Sequence, residues 1–253
     1  DASGSGTVML FSPSSTTFVK HFIADFHCVG NPVASARGLT AGYCNTTSAI
    51  DSIRFTMNSG TIDSCVINGL ETASAGGSLV KIASTTASSS SSISFTSGLT
   101  STYKEYIFYF INIHPATNSA SLTFNGSSDT GSNYNVTKTT TALRAYHQQD
   151  GGGSALGYRT SDDLAQSTNF QILNFEINND NDSSGVGFLH LFNPSSTTFV
   201  KHFIHVGNCV QSTYTRNDFV AGYFNTTSVI DAVQFKMSSG NIDSGTITMY
   251  GVV

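Results

Sequence analysis

One eleven-residue stretch, PSSTTFVKHFI, occurs twice in this chain, at 13–23 and again at 194–204. The duplication is longer than this stretch, because AGYCNTTSAIDSIRFTMNSGTIDS at 41–64 aligns with AGYFNTTSVIDAVQFKMSSGNIDS at 221–244. One residue has been gained or lost between the two matches, as is usual in a surface loop. An internal repeat of this length constrains the fold, since both copies carry the pattern of one structural unit.

Each copy of the repeat predicts β-strands. Apolar and polar residues alternate with a period of two, which is typical of a strand with one buried face. A Ser-Gly turn signal follows, and a second strand is predicted after it, at 246–250 in the second copy, so the pattern indicates a β-hairpin. TTFVKHFI is β-branched and aromatic and predicts a further strand with long side chains on both faces. The alternating apolar residues are Ile53, Phe55 and Met57 in the first copy and Val233, Phe235 and Met237 in the second.

The unduplicated middle of the chain also predicts strands, separated by clusters of Ser, Gly and Asn, and no window predicts an amphipathic helix. Roughly six or seven strands here and about five in the second copy make about a dozen, a number and spacing typical of an antiparallel sandwich. We therefore expect an all-β fold, an antiparallel β-sandwich of jelly-roll or concanavalin-like type. The predicted middle strands are SISFT, YKEYIFYFINIH, SLTFNGS, TTTALRAYHQ and FQILNFEIN.

The repeat also predicts a domain organisation. One complete sandwich unit spans 72–253, made of a unique block at 72–185 and the second copy at 186–253. The first copy, 1–71, is then a duplicated C-terminal half-unit without its other half. A half-sandwich has an apolar face and unpaired edge strands that must be covered. It could pack on the middle block from the other side, or a neighbouring subunit could complete it.

The charge balance bears on the class of partner. The chain has 11 Lys and Arg against 16 Asp and Glu, a net charge of −5, and no clustered basic stretch. Because a phosphate backbone requires a basic face, we expect no nucleic-acid binding. No stretch reaches the roughly 20 apolar residues that cross a bilayer, so no membrane insertion is expected either.

Catalytic and cofactor motifs are not recognisable in the sequence. The four cysteines lack metal-ligand spacing, and GxSxG and GxxxxGK[ST] patterns do not occur. Glycoside hydrolysis needs two carboxylates that face each other, whereas Glu71, Glu105 and Glu176 lie in unrelated contexts. We therefore expect a protein that is not an enzyme and has no cofactor.

Two polar segments contain candidate binding residues. In RAYHQQDGGGSALGY, the side chains of Arg144, His147, Asp150 and Tyr158 could line a glycan pocket, although a strand that ends in a flexible glycine loop is the favoured interpretation. In NNDNDSSG, Asp180 and Asp182 are candidate metal ligands. The EF-hand glycine and its later Glu are not at the required spacing, so a solvated turn is favoured there.

The duplicated histidines are a third candidate. His21 and His202 occupy matching positions and would suit a paired metal site or a pH-sensing site. Because neither has a second ligand two residues further on, partly exposed strand histidines are the favoured interpretation for both.

Several segments carry a resemblance to a known family. YKEYIFYFINIHPAT, YNVTKTTTALRAYHQQDGG, DLAQSTNFQIL and SSGNIDSGTITMYGV resemble segments of virion structural proteins from marine tailed phages, which infect cyanobacteria and Pelagibacter-like hosts. The likeness covers about residues 76–253 and reaches the first copy only through the duplication. It implies a location in the virion and a structural, tail-fibre-like or lectin-like role, without catalytic residues.

Together, these observations predict a structural component of a bacteriophage virion: a tail fibre, capsid appendage or decoration subunit. It would associate with itself through sheet edges and apolar faces, as a trimer or another symmetric homo-oligomer, and with other virion proteins. The alternative is a carbohydrate-binding module of a phage fibre that recognises host surface glycans. A polysaccharide depolymerase is a weaker third alternative.

Overall fold

The computed structural model describes residues 3–30, 34–62 and 79–253. These residues contain fifteen β-strands and no helix, hence no helix that could cross a membrane. The strands are β1 (Ser3–Leu10), β2 (Lys20–Gly30), β3 (Ala34–Cys44), β4 (Leu79–Thr86), β5 (Ile93–Phe95), β6 (Glu105–Pro115), β7 (Ala120–Ser127), β8 (Lys138–Gln148), β9 (Ser154–Tyr158), β10 (Gln171–Ile177), β11 (Gly185–Phe192), β12 (Lys201–Gln211), β13 (Tyr214–Phe224), β14 (Ala232–Met237) and β15 (Ile242–Val252).

Two antiparallel sheets form a β-sandwich, which confirms the expected fold class. The large sheet has eight strands in the order β4-β15-β6-β11-β12-β13-β8-β9, and the small sheet has four in the order β10-β7-β14-β5. Aromatic rings fill the space between them: Phe235 of the small sheet lies 5.4 Å from Phe108 and 5.2 Å from Phe110 of the large sheet, between ring centroids. All three are fully buried.

The first copy builds a third layer, the outer sheet, with the order β1-β2-β3. It packs on the side of the large sheet that faces away from the small sheet. Successive strand residues point to opposite sides, so Tyr109 projects away from the core that Phe108 and Phe110 enter. On that side Tyr109 packs against an apolar cluster that includes Ile23 of the outer sheet and Val186 of the large sheet.

Most of the predicted strands are confirmed. The five segments of the middle block are β5, β6, β7, β8 and β10, and residues 79–253 contain twelve strands, β4 to β15, as expected. The hairpin of the second copy is confirmed as β14 and β15. The boundary at 185–186 falls at the start of β11, whereas the boundary at 71–72 lies outside the described residues.

The hairpin predicted for the first copy is wrong over its described part. Residues 51–62 form no strand, and the second half of that hairpin lies outside the described residues. The physical reason is that no described strand lies beside this segment, since a strand is stable only when adjacent strands satisfy its backbone N–H and C=O groups. In the second copy, β7 and β5 supply those groups on both sides of β14.

Candidate assembly surface

The two copies share their local hydrogen bonds up to the end of the third strand and the turn that follows it. Ile50 N–H donates to the Pro13 carbonyl at 2.8 Å, and Ile230 N–H donates to the Pro194 carbonyl at 2.9 Å. The identical sequence therefore adopts the same local structure twice. Each copy also has the same lysine hydrogen bond: Lys20 Nζ donates to the Thr46 carbonyl at 3.2 Å, and Lys201 Nζ donates to the Thr226 carbonyl at 3.1 Å.

The copies diverge immediately after Ile50 and Ile230. In the second copy Asp231 N–H donates to the Ser127 carbonyl of β7 at 3.0 Å, and β14 then continues between β7 and β5 with its apolar side chains in the core. The first copy has the same apolar side chains in solvent. The exposed fractions are 58% for Ile53, 45% for Phe55 and 57% for Met57, against 0% for Val233 and Phe235 and 3% for Met237.

The outer sheet has one side that the described residues leave largely uncovered. We call the side formed by Val8, Leu10, Phe22 and Phe26 the open face. Val8 is 39% and Phe26 43% exposed, and Leu10 and Phe22 are half-buried. The corresponding side of the second copy faces the small sheet, and its counterparts Leu189, Leu191 and Phe203 are fully buried. In the described part of the chain, the open face is thus a sandwich interior without a second sheet over it.

Both outermost strands of the outer sheet have an edge that no described strand pairs with. Within the described residues β1 and β3 each pair only with β2, whereas their counterparts β11 and β13 are flanked by β6 and β8. Unpaired N–H and C=O groups along a strand are a template for another strand. The open face and these two edges form the candidate assembly surface.

The opposite side of the outer sheet docks on the large sheet through a buried histidine. His21 Nδ1 lies 2.5 Å from Asn208 Oδ1, and Ser184 Oγ lies 3.3 Å from His21 Nε2. The Asn208 amide NH2 group already donates to Thr215 Oγ1 and to the Arg216 carbonyl. The atom facing His21 is therefore the amide oxygen of Asn208, which must accept from the ring. His21 therefore carries a proton on Nδ1.

Burial lowers the pKa of His21 from 6.5 to about 4, because a fully buried ring loses the solvation that stabilises its positive charge. This corrects the expectation that both repeat histidines are partly exposed: His21 is fully buried, and His202 is exposed. Phe11 and Ile23 pack beside His21 against Val186 of the large sheet.

The four glycan candidates do not converge on one pocket. Arg144 and His147 are three residues apart in the continuous strand β8, so they point to opposite sides of the large sheet. The Arg144 guanidinium lies 5.5 Å from the Tyr146 ring. Asp150 Oδ1 accepts the Gly152 N–H at 2.7 Å within the turn, and Tyr158 OH donates to Asp163.

His147 lies in a small groove between the outer and large sheets. The groove has a volume of about 200 Å³ and is lined by residues from β3, β8 and β13, among them Leu39, Ala41 and Asn217. Asn217 is 9% exposed, and its Oδ1 has no hydrogen-bond partner among the described residues. This groove, rather than the four predicted residues as a set, is where a polar ligand would find converging groups.

Asp180 and Asp182 line a second cavity between the same layers, of about 250 Å³, together with Val19 and Tyr43. Asp180 Oδ2 accepts from Asn178 Nδ2 at 3.0 Å, and the Asp182 carbonyl accepts the Val19 N–H at 3.5 Å. In the described ranges, no three His, Cys, Asp or Glu side chains group as metal ligands would.

Sequence reasoning missed the partners of the docking histidine, Asn208 and Ser184. The only available signal was a difference between the copies, because His27 of the first copy stands where the second copy has Asn208. That difference marks a position at which the two copies meet different surroundings.

The fold defines an all-β protein in which a β-sandwich carries a third, half-covered sheet. No family model, curated protein or solved structure matches the chain.

Proposed function

We propose that this protein is a non-enzymatic building block of a bacteriophage virion, a tail fibre, capsid appendage or decoration subunit that assembles through its open face and free sheet edges. The observation that carries the assembly role is the contrast between the copies. Positions that are fully buried in the second copy are exposed in the first, although their side chains stay apolar. The phage assignment rests on the resemblance of residues 76–253 to marine phage virion proteins.

An exposed surface of this kind is unfavourable for a protein that stays alone in water. Contiguous apolar patches on soluble proteins usually mark interaction sites, and flat free strand edges promote pairing with other chains. Each fully buried Phe or Leu side chain contributes about 1.5–3 kcal/mol, so the open face offers a substantial gain on association.

Sedimentation velocity of the full chain over a range of concentrations tests the assembly role. We expect a symmetric oligomer whose population rises with concentration. A monomer at every concentration would overturn self-assembly. Mass spectrometry of purified phage particles, followed by gold-labelled antibody, tests the virion location, and absence from intact particles would overturn it.

A carbohydrate-binding receptor module is the second candidate, and the groove beside His147 favours it. The unpartnered Asn217 Oδ1 and the imidazole of His147 could accept and donate hydrogen bonds to sugar hydroxyl groups. A glycan array with the wild type and with His147→Ala tests this role. Glycan binding that the substitution abolishes would support it, and no binding by the wild type would remove it.

A further inference from the structure

The second copy carries polar side chains that fit the strand packed over it. β10 of the small sheet is irregular between Asn174 and Ile177, which leaves the Phe175 backbone outside the regular ladder. Asp218 Oδ2 accepts the Phe175 N–H at 3.1 Å, and Arg216 Nη1 donates to the Phe175 carbonyl at 3.3 Å. Arg216 Nη1 also binds the carboxylate of Glu176 at 2.6 Å. Two side chains of β13 thus satisfy this irregular stretch of β10.

The first copy lacks these polar side chains. Ala36 stands at the position of Arg216, and Gly38 at the position of Asp218. A middle block placed over the open face would bury the Phe175 N–H without its acceptor and leave Glu176 without its cation. Buried backbone groups without partners are strongly unfavourable, so a block such as 79–177 does not fit the open face.

The middle block is also already engaged. Residues 79–253 contain one small sheet, and the second copy contributes its central strand β14. Each chain therefore has two repeat copies but one described small sheet that could cover them. Adding further chains keeps the ratio of copies to small sheets at two to one. An assembly of this chain alone must cover the open face with something other than the small sheet.

The open face is suited to contact with an identical surface. The described residues that point to this side are apolar, small or neutral, apart from Lys20, which is fully buried with its Nζ bound to the Thr46 carbonyl. In a twofold contact the same surface meets itself, so a face that carries charges of one sign would repel its copy. A neutral apolar face has no such repulsion.

We propose that a second copy of this chain covers the open face, the two outer sheets packing face to face across a twofold axis. Three strands about 4.8 Å apart with a rise of about 3.3 Å per residue give a face of roughly 500 Å² in projection. Side-chain relief adds to this projected area, and a standard interface buries about 800 Å² per partner. The proposal rests on the proposed assembly role and gives an even number of subunits, not the trimer that the sequence suggested.

Phe26→Asp tests the contact, with Leu156→Asp as the matched control. Leu156 is 75% exposed on the edge strand β9, away from the open face, so both substitutions place a carboxylate on an exposed strand position. Because burying a charge in an apolar contact is unfavourable, Phe26→Asp should weaken dimerisation by about 100-fold or more. Leu156→Asp should leave the dissociation constant within about threefold of wild type, as surface substitutions usually do. Circular dichroism and thermal melting of both variants show that they are folded.

The outcomes separate the two proposals. Loss of the dimer in Phe26→Asp alone supports the open-face contact. An oligomer that survives Phe26→Asp, or a trimer, overturns the contact and leaves assembly intact, whereas a monomeric wild type overturns assembly itself.

Alkylation of exposed Cys28, which lies on the same side as Phe26, gives a second readout without substitution. Its rate should fall as wild-type concentration rises and stay constant in Phe26→Asp; a constant wild-type rate in a proven dimer would contradict the contact.

Discussion

Replacing His21 with Ala should loosen the outer sheet from the large sheet, because it removes the donor to Asn208 Oδ1. That oxygen is fully buried, and an unsatisfied buried acceptor costs about 1–3 kcal/mol. The lost ring also contacts Tyr43, with 5.8 Å between ring centroids, so its removal opens a cavity as well. From the unsatisfied acceptor and the cavity together, we expect the docking free energy to fall by about 2–4 kcal/mol.

The duplication supplies a matched control. His202 has the same neighbours in sequence and a similar ring contact, with Tyr223 at 5.9 Å, but its side chain is exposed. His202→Ala should therefore change stability by about 0.5 kcal/mol or less.

Hydrogen exchange followed by mass spectrometry measures the effect where it arises. A loss of about 2 kcal/mol raises the population of the undocked state about 30-fold, since about 1.4 kcal/mol corresponds to a factor of ten. We expect this loss of protection in β2 and in the segment around Ser184 for His21→Ala only. Equal exchange in the two variants would refute the docking role of His21.

Three further predictions follow from the structure. His21 titrates at about 6.5 when undocked and at about 4 when docked, so docking is strongest above pH 6.5 and weakens as pH falls towards 4, which exchange measured at several pH values checks. Burial raises the pKa of Asp218 to about 7, so this residue stabilises the fold below pH 4 and loses that contribution as pH rises through 7. Asp218→Asn should remove this pH dependence from urea denaturation, while the amide oxygen still accepts the Phe175 N–H. An unchanged pH profile would contradict the assignment. Phe235→Ala should cost about 3–5 kcal/mol and its repeat counterpart Phe55→Ala less than about 1 kcal/mol in urea denaturation, and similar losses would show that residue 55 is buried after all.

Local pattern was sufficient for strands that pair within a complete sandwich. The aromatic and β-branched runs of β6 and β7 predicted both strands close to their observed bounds, because their burial enforces the pattern. β9 was missed since all of its residues are exposed and nothing selects an alternation there. The jelly-roll or concanavalin-like connectivity stays a prediction.

The failures at the first copy have one cause. Pairing partners are distant in sequence, so the pattern at 53–57 predicts a strand whether or not neighbours exist to receive it. The same holds for His21 and His202, whose identical flanks cannot reveal that one meets Asn208 and the other meets solvent. The differences between the copies, such as Gly38 against Asp218, carried more information on the site than their identities did.

The similarity of 51–62 to 231–242 also has a consequence for folding during synthesis. A ribosome releases the earlier segment before the middle block exists, and the later one only after β5 and β7 have emerged. Two similar segments therefore compete for the position between β5 and β7 in the nascent chain. Arg216 and Asp218 occur in the later copy alone and bind β10 of the small sheet. They can therefore favour the later copy over the earlier one as the partner of that sheet.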